Sequence, residues 1–178
     1  MDIIKKLSRS IREYKMVSIM TPVCIVFEVI FEILIPFMMA KMIDSGISSG
    51  NESALVKYGT LLILCVMAGL VFGILSGGLC ATASAGFVKN LRKDMYYKIQ
   101  EYSFANIDKF SSSSIVTRLT TDVTNVQNAY MMIIRIAVRA PLMMICSMVM
   151  CFIINPTLSL IFLGALILLG FVLFYIIY

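Results

Sequence analysis

The sequence contains no histidine, which removes the side chain that most often serves as a general base or a metal ligand. No serine has an evident base partner, so no catalytic residue is predicted. The cysteines are odd in number, include no CxxC pair and all lie within apolar stretches, at Cys24, Cys65, Cys80, Cys146 and Cys151. We therefore expect buried free thiols and no metal or redox site.

A phosphate-binding loop of the form GxxxxGK(S/T) is also absent. The backbone amides and the lysine of such a loop hold the phosphates of ATP, and no other part of the sequence replaces them. We therefore expect that this chain has no ATPase site and is not an enzyme by itself. No cofactor is predicted for it.

Charged residues are scarce, at 14% of the chain, whereas 60% of the residues are hydrophobic and the mean hydropathy is +0.95. This balance indicates an integral membrane protein, with the lipid bilayer as its first partner. Backbone groups in a bilayer have no water to bind, so spanning segments should be helices. Four apolar windows are long enough to span, at about 16–40, 54–85, 133–154 and 158–178.

Lysine and arginine are concentrated before the first window and between the second and third windows. The first opposite loop has only Lys41 and Lys57, and the second opposite turn, 155–157, has no charge. The positive-inside rule therefore places the N-terminus and the polar stretch 89–128 in the cytoplasm. The formal net charge of +5 largely reflects this topology, so no nucleic-acid partner is predicted.

The chain outside the windows is also expected to be helical. Residues 1–15 are basic and should form an amphipathic helix along the anionic inner leaflet. From Ala54 to Ser103 only glycine interrupts a helical pattern, and such a helix would be about 75 Å long. A hydrocarbon core is about 30 Å thick, so this helix and the one returning from the polar stretch should extend far into the cytoplasm.

The predicted turn between these two long helices is amphipathic. Phe104, Ile107 and Phe110 are three residues apart and share one face of a short helix. A groove on a partner protein would accept this face, although the same side chains could instead pack on the ends of the long helices. Arg118 and Asp122 follow on the returning helix, four residues apart, and could form an exposed ion pair.

Two charged pairs interrupt the apolar windows. Glu28 and Glu32 lie four residues apart in the first window, and Arg135 and Arg139 lie four apart in the third. Carboxylates facing lipid are costly, so the glutamates should face protein or water. They could contact a cation or proton in a substrate cavity, or they could bind a neighbouring helix or the arginines. The arginines, near the cytoplasmic end of their window, could equally extend toward the interface.

Glycines recur every four residues in the second window, at Gly69, Gly73 and Gly77, and Ala81 and Ala85 continue the spacing. Small residues on one face let another helix approach closely. Either ordinary packing within one subunit or a sliding contact between reorienting helices would use such a stripe.

The segment FSSSSIVTRLTTDVTNVQNAYMMIIRIAVRAPLM resembles the first intracellular loop and third membrane helix of exporter-type (type IV) ABC transporters, in particular bacterial multidrug exporters. Within it, IVTRLTTDV fits the family pattern residue by residue. IPFMMAKMIDSGI and INPTLSL resemble the outer end of the first helix and the external turn between helices three and four. Ser113 replaces the usual glycine before the returning helix, where serine can cap a helix start.

The resemblance implies an all-α membrane fold with an elbow helix at 1–15 and four transmembrane helices, the second and third joined in the cytoplasm by a coupling helix. The implied partners are a nucleotide-binding domain, which would bind ATP and Mg²⁺, a second transporter half of the same or a different kind, and a small amphipathic substrate. A bacterial plasma membrane is the implied location. The residues implied in coupling are Phe104, Ile107, Asp108, Phe110, Arg118 and Asp122.

The family's membrane domain has six helices and a nucleotide-binding domain follows it, whereas this sequence has four apolar windows and no phosphate loop. We therefore expect a portion of a longer exporter, or a truncated product. The alternative is a stand-alone four-helix membrane scaffold or regulator without transport activity.

Overall fold

The computed structural model describes residues 9–101 and 112–177, and these residues form helices joined by short connections, without a strand. The main helices are α1 (Lys15–Met42), α2 (Glu52–Gln100), α3 (Ser112–Thr117), α4 (Val123–Ile154) and α5 (Pro156–Ile177). Four helical stretches in the described part of the chain are long and apolar enough to cross a membrane. The predicted all-α membrane fold is therefore confirmed.

A tight connection joins α1 to α2. The backbone leaves α1 through a π-helical turn, Ile43–Ile47, and then reverses at Gly50, whose φ of 66° favours glycine. Asn51 caps α2, because its side-chain oxygen accepts a hydrogen bond from the Ala54 amide at 3.2 Å. The two helices therefore run antiparallel, and theirs is the most extensive helix contact in the described structure.

Helix α2 is much longer than a bilayer is thick. Its 49 residues span roughly 74 Å at about 1.5 Å per residue, against a hydrocarbon core of about 30 Å. No proline interrupts it. The long extension expected from the sequence is thus a continuous part of one helix.

The returning chain is continuous from α3 through a π-helical turn, Arg118–Asp122, into α4. Asn155 then ends α4 in an extended conformation and caps α5, since its side-chain oxygen accepts hydrogen bonds from the amides of Thr157 and Leu158 at 3.1 and 3.3 Å. Helix α5 packs on α4, and most of its described side chains are exposed.

A small hydrophobic core lies beside the end of the spans that the charge distribution predicts to face the cytoplasm. Phe87, Val88 and Val123 are buried in it, and Tyr130 stacks on Phe87 with ring centroids 4.5 Å apart. Ile11, from the N-terminal segment, packs against the same cluster. Three distant parts of the chain therefore meet at one point.

The N-terminal segment Arg9–Tyr14, here called the strap, is a 3₁₀ helix kinked at Arg12, where φ is 40°. It lies along α2: Ser10 and Arg12 donate to the two carboxylate oxygens of Asp94 at 3.2 and 2.7 Å. The Asn90 amide in turn donates to the Ser10 carbonyl at 3.1 Å. Residues 1–8 of the predicted elbow helix lie outside the described residues, so that prediction stands only as a prediction for them.

The charge distribution predicts that the α1–α2 connection and the segment around α3 lie on opposite sides of the membrane. Ser48→Cys and Val116→Cys, each at an exposed position in a cysteine-free background, should therefore react with an impermeant maleimide from opposite sides of sealed vesicles, Ser48→Cys from outside. Reaction of both cysteines from the same side would contradict the four-span topology.

Candidate functional site

Both glutamates of the first membrane window bind one arginine. Arg139, on α4, reaches α1 with both ends of its guanidinium group: Nη1 lies 2.6 Å from Glu28 Oε1, and Nη2 lies 2.7 Å from Glu32 Oε2. The two glutamates are one turn apart on α1, so a single planar guanidinium can bridge both. We call Glu28, Glu32 and Arg139 the charged cluster; its formal net charge is −1.

Helix α2 holds the buried end of the charged cluster. Ser76 donates to Glu28 Oε2 at 2.9 Å, so the second carboxylate oxygen of Glu28 is also bonded. Gly73 faces the same carboxylate, and a Cβ there would lie 3.4 Å from Glu28 Oε1. Glu28 as a whole residue is only 8% exposed. Its side chain projects from α1 and is bonded by both α4 and α2.

The Glu32 end of the charged cluster is partly exposed and borders two cavities. The Glu32 side chain is 42% exposed, against 11% for Glu28 and 33% for Arg139. Glu32 lines a cavity of about 250 Å³ between α1, α2 and α4, and a second one of about 410 Å³ between α1 and α4, whose walls are mostly apolar. The cluster can therefore present a carboxylate to a ligand in an apolar cavity.

Arg135 does not join this cluster. Its Nη1 approaches α2, 3.7 Å from the position that a Cβ on Gly77 would occupy. Within the described part of the chain, no carboxylate lies within ion-pair distance of it. Of the four residues predicted for the cavity, the structure thus brings together three.

The glycine stripe lies on the α2 face that meets α1 and α4, at least in its first half. A Cβ on Gly69 would lie 3.5 Å from Phe31 Cβ, and Gly73 and Gly77 face Glu28 and Arg135. Ala81 and Ala85 are instead exposed. A strict four-residue spacing drifts by about 40° per repeat in a straight helix, so it leaves the contact face after a few repeats.

The buried face of α2 continues through residues at mixed three- and four-residue spacing, namely Ser76, Cys80, Ala83, Ser84 and Phe87. Ser76 is the contact to the charged cluster that the sequence reasoning missed. Its spacing of three from Gly73 was a usable signal, because the period of an α-helix lies between three and four.

Most predicted coupling residues lie outside the described residues, namely Phe104, Ile107, Asp108 and Phe110. Arg118 and Asp122 are described, and both are exposed in the π-helical turn that they bound. The ion pair expected between Arg118 and Asp122 stays a prediction.

The described residues include no cluster of three or more potential metal ligands. All five cysteines are free, with Cys24 and Cys80 buried. Cys80 donates to the carbonyl oxygen of Met131 at 3.8 Å, which joins α2 to α4. Cys65, Cys146 and Cys151 are only partly buried, so the expected burial holds for two of the five thiols.

The structure combines four apolar helices, one of them far longer than a bilayer is thick, with a charged cluster beside apolar cavities. This combination is typical of the membrane domain of a transporter. The sequence profile of the ABC transporter transmembrane region matches residues 18–177, almost the whole chain. The protein belongs to this family.

Two bacterial proteins resemble the chain over part of their length. It is 37% identical over 124 residues to the uncharacterized ABC transporter ATP-binding protein YfiB of Bacillus subtilis (strain 168), a match over 70% of this chain and 22% of that protein. It is 27% identical over 127 residues to the ATP-dependent lipid A-core flippase of Pseudoalteromonas translucida (strain TAC 125), over 71% of this chain and 22% of the flippase. The chain thus spans about a fifth of the length of these relatives.

Proposed function

We propose that the chain is the first part of the membrane domain of an ATP-driven exporter, where it forms part of the substrate pathway and the first loop that docks on a nucleotide-binding domain. The observation that carries this proposal is the charged cluster, set inside apolar helices with Glu32 open to two cavities. Membership of the ABC transporter family supports it.

The proposal includes partners outside this chain. A nucleotide-binding domain would bind ATP and Mg²⁺, and a second transporter half, identical or different, would complete the pathway. The N-terminus and residues 89–128 would face the cytoplasm of a bacterial cell, as the lysine and arginine distribution favours.

The two glutamates have different roles in this proposal. Glu28 is buried and bonded by Arg139 and Ser76, so it holds α1, α2 and α4 together. Glu32 shares the arginine but is half-exposed, and the cluster retains one negative charge. Its surroundings therefore fit an amphipathic compound with a cationic group, whose apolar part would occupy the cavity between α1 and α4.

Glu32→Gln removes this charge and keeps the shape of the side chain. In the assembled transporter, ATP-dependent export of a cationic amphiphile should fall about tenfold, because a half-desolvated charge pair contributes on the order of 1.4 kcal/mol. Export of a neutral amphiphile of similar size should change little. Transport into inverted vesicles of one compound from each class measures both effects.

Glu28→Gln is the matched control, because it removes the same charge one turn away at a buried position. It should lower the thermal stability of the protein and reduce export of both compounds alike. Equal export of the cationic compound by wild type and Glu32→Gln would contradict the proposed role of Glu32.

The predicted coupling turn permits a separate test. Phe110→Asp should uncouple ATP hydrolysis from transport in the assembled transporter, because docking would bury the new charge without a partner. Lys109→Asp adds a carboxylate on the opposite face of the predicted turn and should leave coupling intact. The ratio of substrate moved to ATP hydrolysed measures coupling. An unchanged ratio for Phe110→Asp would favour packing of the turn on its own helices.

A further inference from the structure

Arg135 differs from Arg139, one turn further along the same helix. Arg139 bridges two carboxylates, whereas Arg135 is half-buried and has no carboxylate within 4.0 Å among the residues that the structure describes. Both glutamates of the first window are already bound by Arg139, and Glu28 is held further by Ser76. Any counter-ion of Arg135 therefore lies outside the residues that the structure describes.

The surroundings of Arg135 suit a molecule with a charged group and an apolar part. Met132 and Ile136, its neighbours on α4, are 59% and 56% exposed. On the facing helix, α2, Gly77 has no side chain, so the Arg135 guanidinium lies against the backbone surface of α2. A cation thus stands at the edge of an exposed apolar surface.

The predicted depth of Arg135 in the membrane indicates which kind of anion it can bind. It is the third residue of the window 133–154, at the end that the lysine and arginine distribution places toward the cytoplasm. Long cationic side chains at this depth reach the headgroup layer, where phosphate groups are the abundant anions. A guanidinium fork binds phosphate well because two parallel N–H groups match two of its oxygens.

We propose that Arg135 is a lipid-binding residue that holds the phosphate of an anionic phospholipid from the inner leaflet, with the lipid's chains along the exposed apolar side chains of α4. This site does not depend on the proposed transport function. It uses the arginine that the charged cluster leaves out.

The absence of tryptophan makes a local test available. Met132→Trp places a single fluorophore one turn from Arg135, in vesicles that mix phosphatidylcholine with brominated phosphatidylglycerol or brominated phosphatidylcholine. Quenching should show a roughly fivefold preference for phosphatidylglycerol over phosphatidylcholine at this position, the ratio that one interfacial cation supplies. Ile153→Trp, exposed near the other end of α4, should show no preference.

Adding Arg135→Gln to the Met132→Trp protein should reduce the preference to about one. Arg135→Lys should give an intermediate preference, because it keeps the positive charge but loses the two parallel N–H groups of the guanidinium. The lysine variant preserves the charge if the glutamine variant fails to insert. The same preference with and without the positive charge would overturn the proposal. Loss of the preference on adding inorganic phosphate would show that the site takes a free anion, and the lipid assignment would then be wrong.

Discussion

Arg139→Leu is expected to destabilise the helix bundle by roughly 3 kcal/mol or more, because it leaves Glu28 buried without its cation. Removing one partner from a dry ion pair costs about 3 to 5 kcal/mol, and the partial exposure of Arg139 and Glu32 places the expected effect near the lower value. Chemical unfolding in detergent micelles, followed by circular dichroism, measures the change.

Arg135→Leu is the matched control for this prediction. It removes the same side chain from the same helix one turn away, at a position without a carboxylate partner in the described structure. We expect its effect in micelles to be well below that of Arg139→Leu. Adding Glu28→Gln to Arg139→Leu should recover part of the lost stability, since the stranded charge is then gone. Equal unfolding of the two arginine variants would contradict the role of Arg139 as the bridge.

The second large effect is expected at Gly86 of α2, against which Tyr14 of the strap packs. A Cβ at Gly86 would overlap the ring of Tyr14, so Gly86→Ala must displace the ring. We expect a loss of about 1 to 3 kcal/mol, typical of an overpacked contact. Ser10, now 5% exposed, should become reactive in a Ser10→Cys version of the protein.

Gly78→Ala makes the same change two turns away, where no atom lies within 4 Å of the new methyl group. Replacing glycine by alanine inside a helix otherwise stabilises it by about 0.5 to 1 kcal/mol. The two substitutions should therefore have opposite signs. A stabilising Gly86→Ala, with Ser10→Cys still protected, would show that the strap does not pack as described.

The spans and the long helix α2 could be predicted because their causes are local. An apolar window longer than the bilayer thickness specifies a helix by itself, and the absence of proline from residues 52–100 lets that helix continue into water. The cap at Asn155 follows from the same kind of short-range signal, since asparagine readily accepts hydrogen bonds from the first amides of a helix.

The partners inside the bundle could not be predicted, because they depend on how helices rotate and slide against each other. The sequence suggested two glutamates and two arginines at equal spacing, a pattern that equally permits two separate pairs. One arginine in fact serves both carboxylates. The strap contact to Asp94 joins residues more than eighty positions apart, and no local pattern encodes that distance.

The ion pair between Glu28 and Arg139 also has a consequence for biosynthesis, because the two residues are 111 positions apart in the chain. At about 5 to 20 residues per second, the ribosome would complete α1 roughly 5 to 20 seconds before it adds the arginine. During that interval Glu28 has no Arg139 with which to form its ion pair. Ser76 is made earlier, 48 residues after Glu28, and gives the carboxylate a first hydrogen-bonding partner while α4 is still being synthesised.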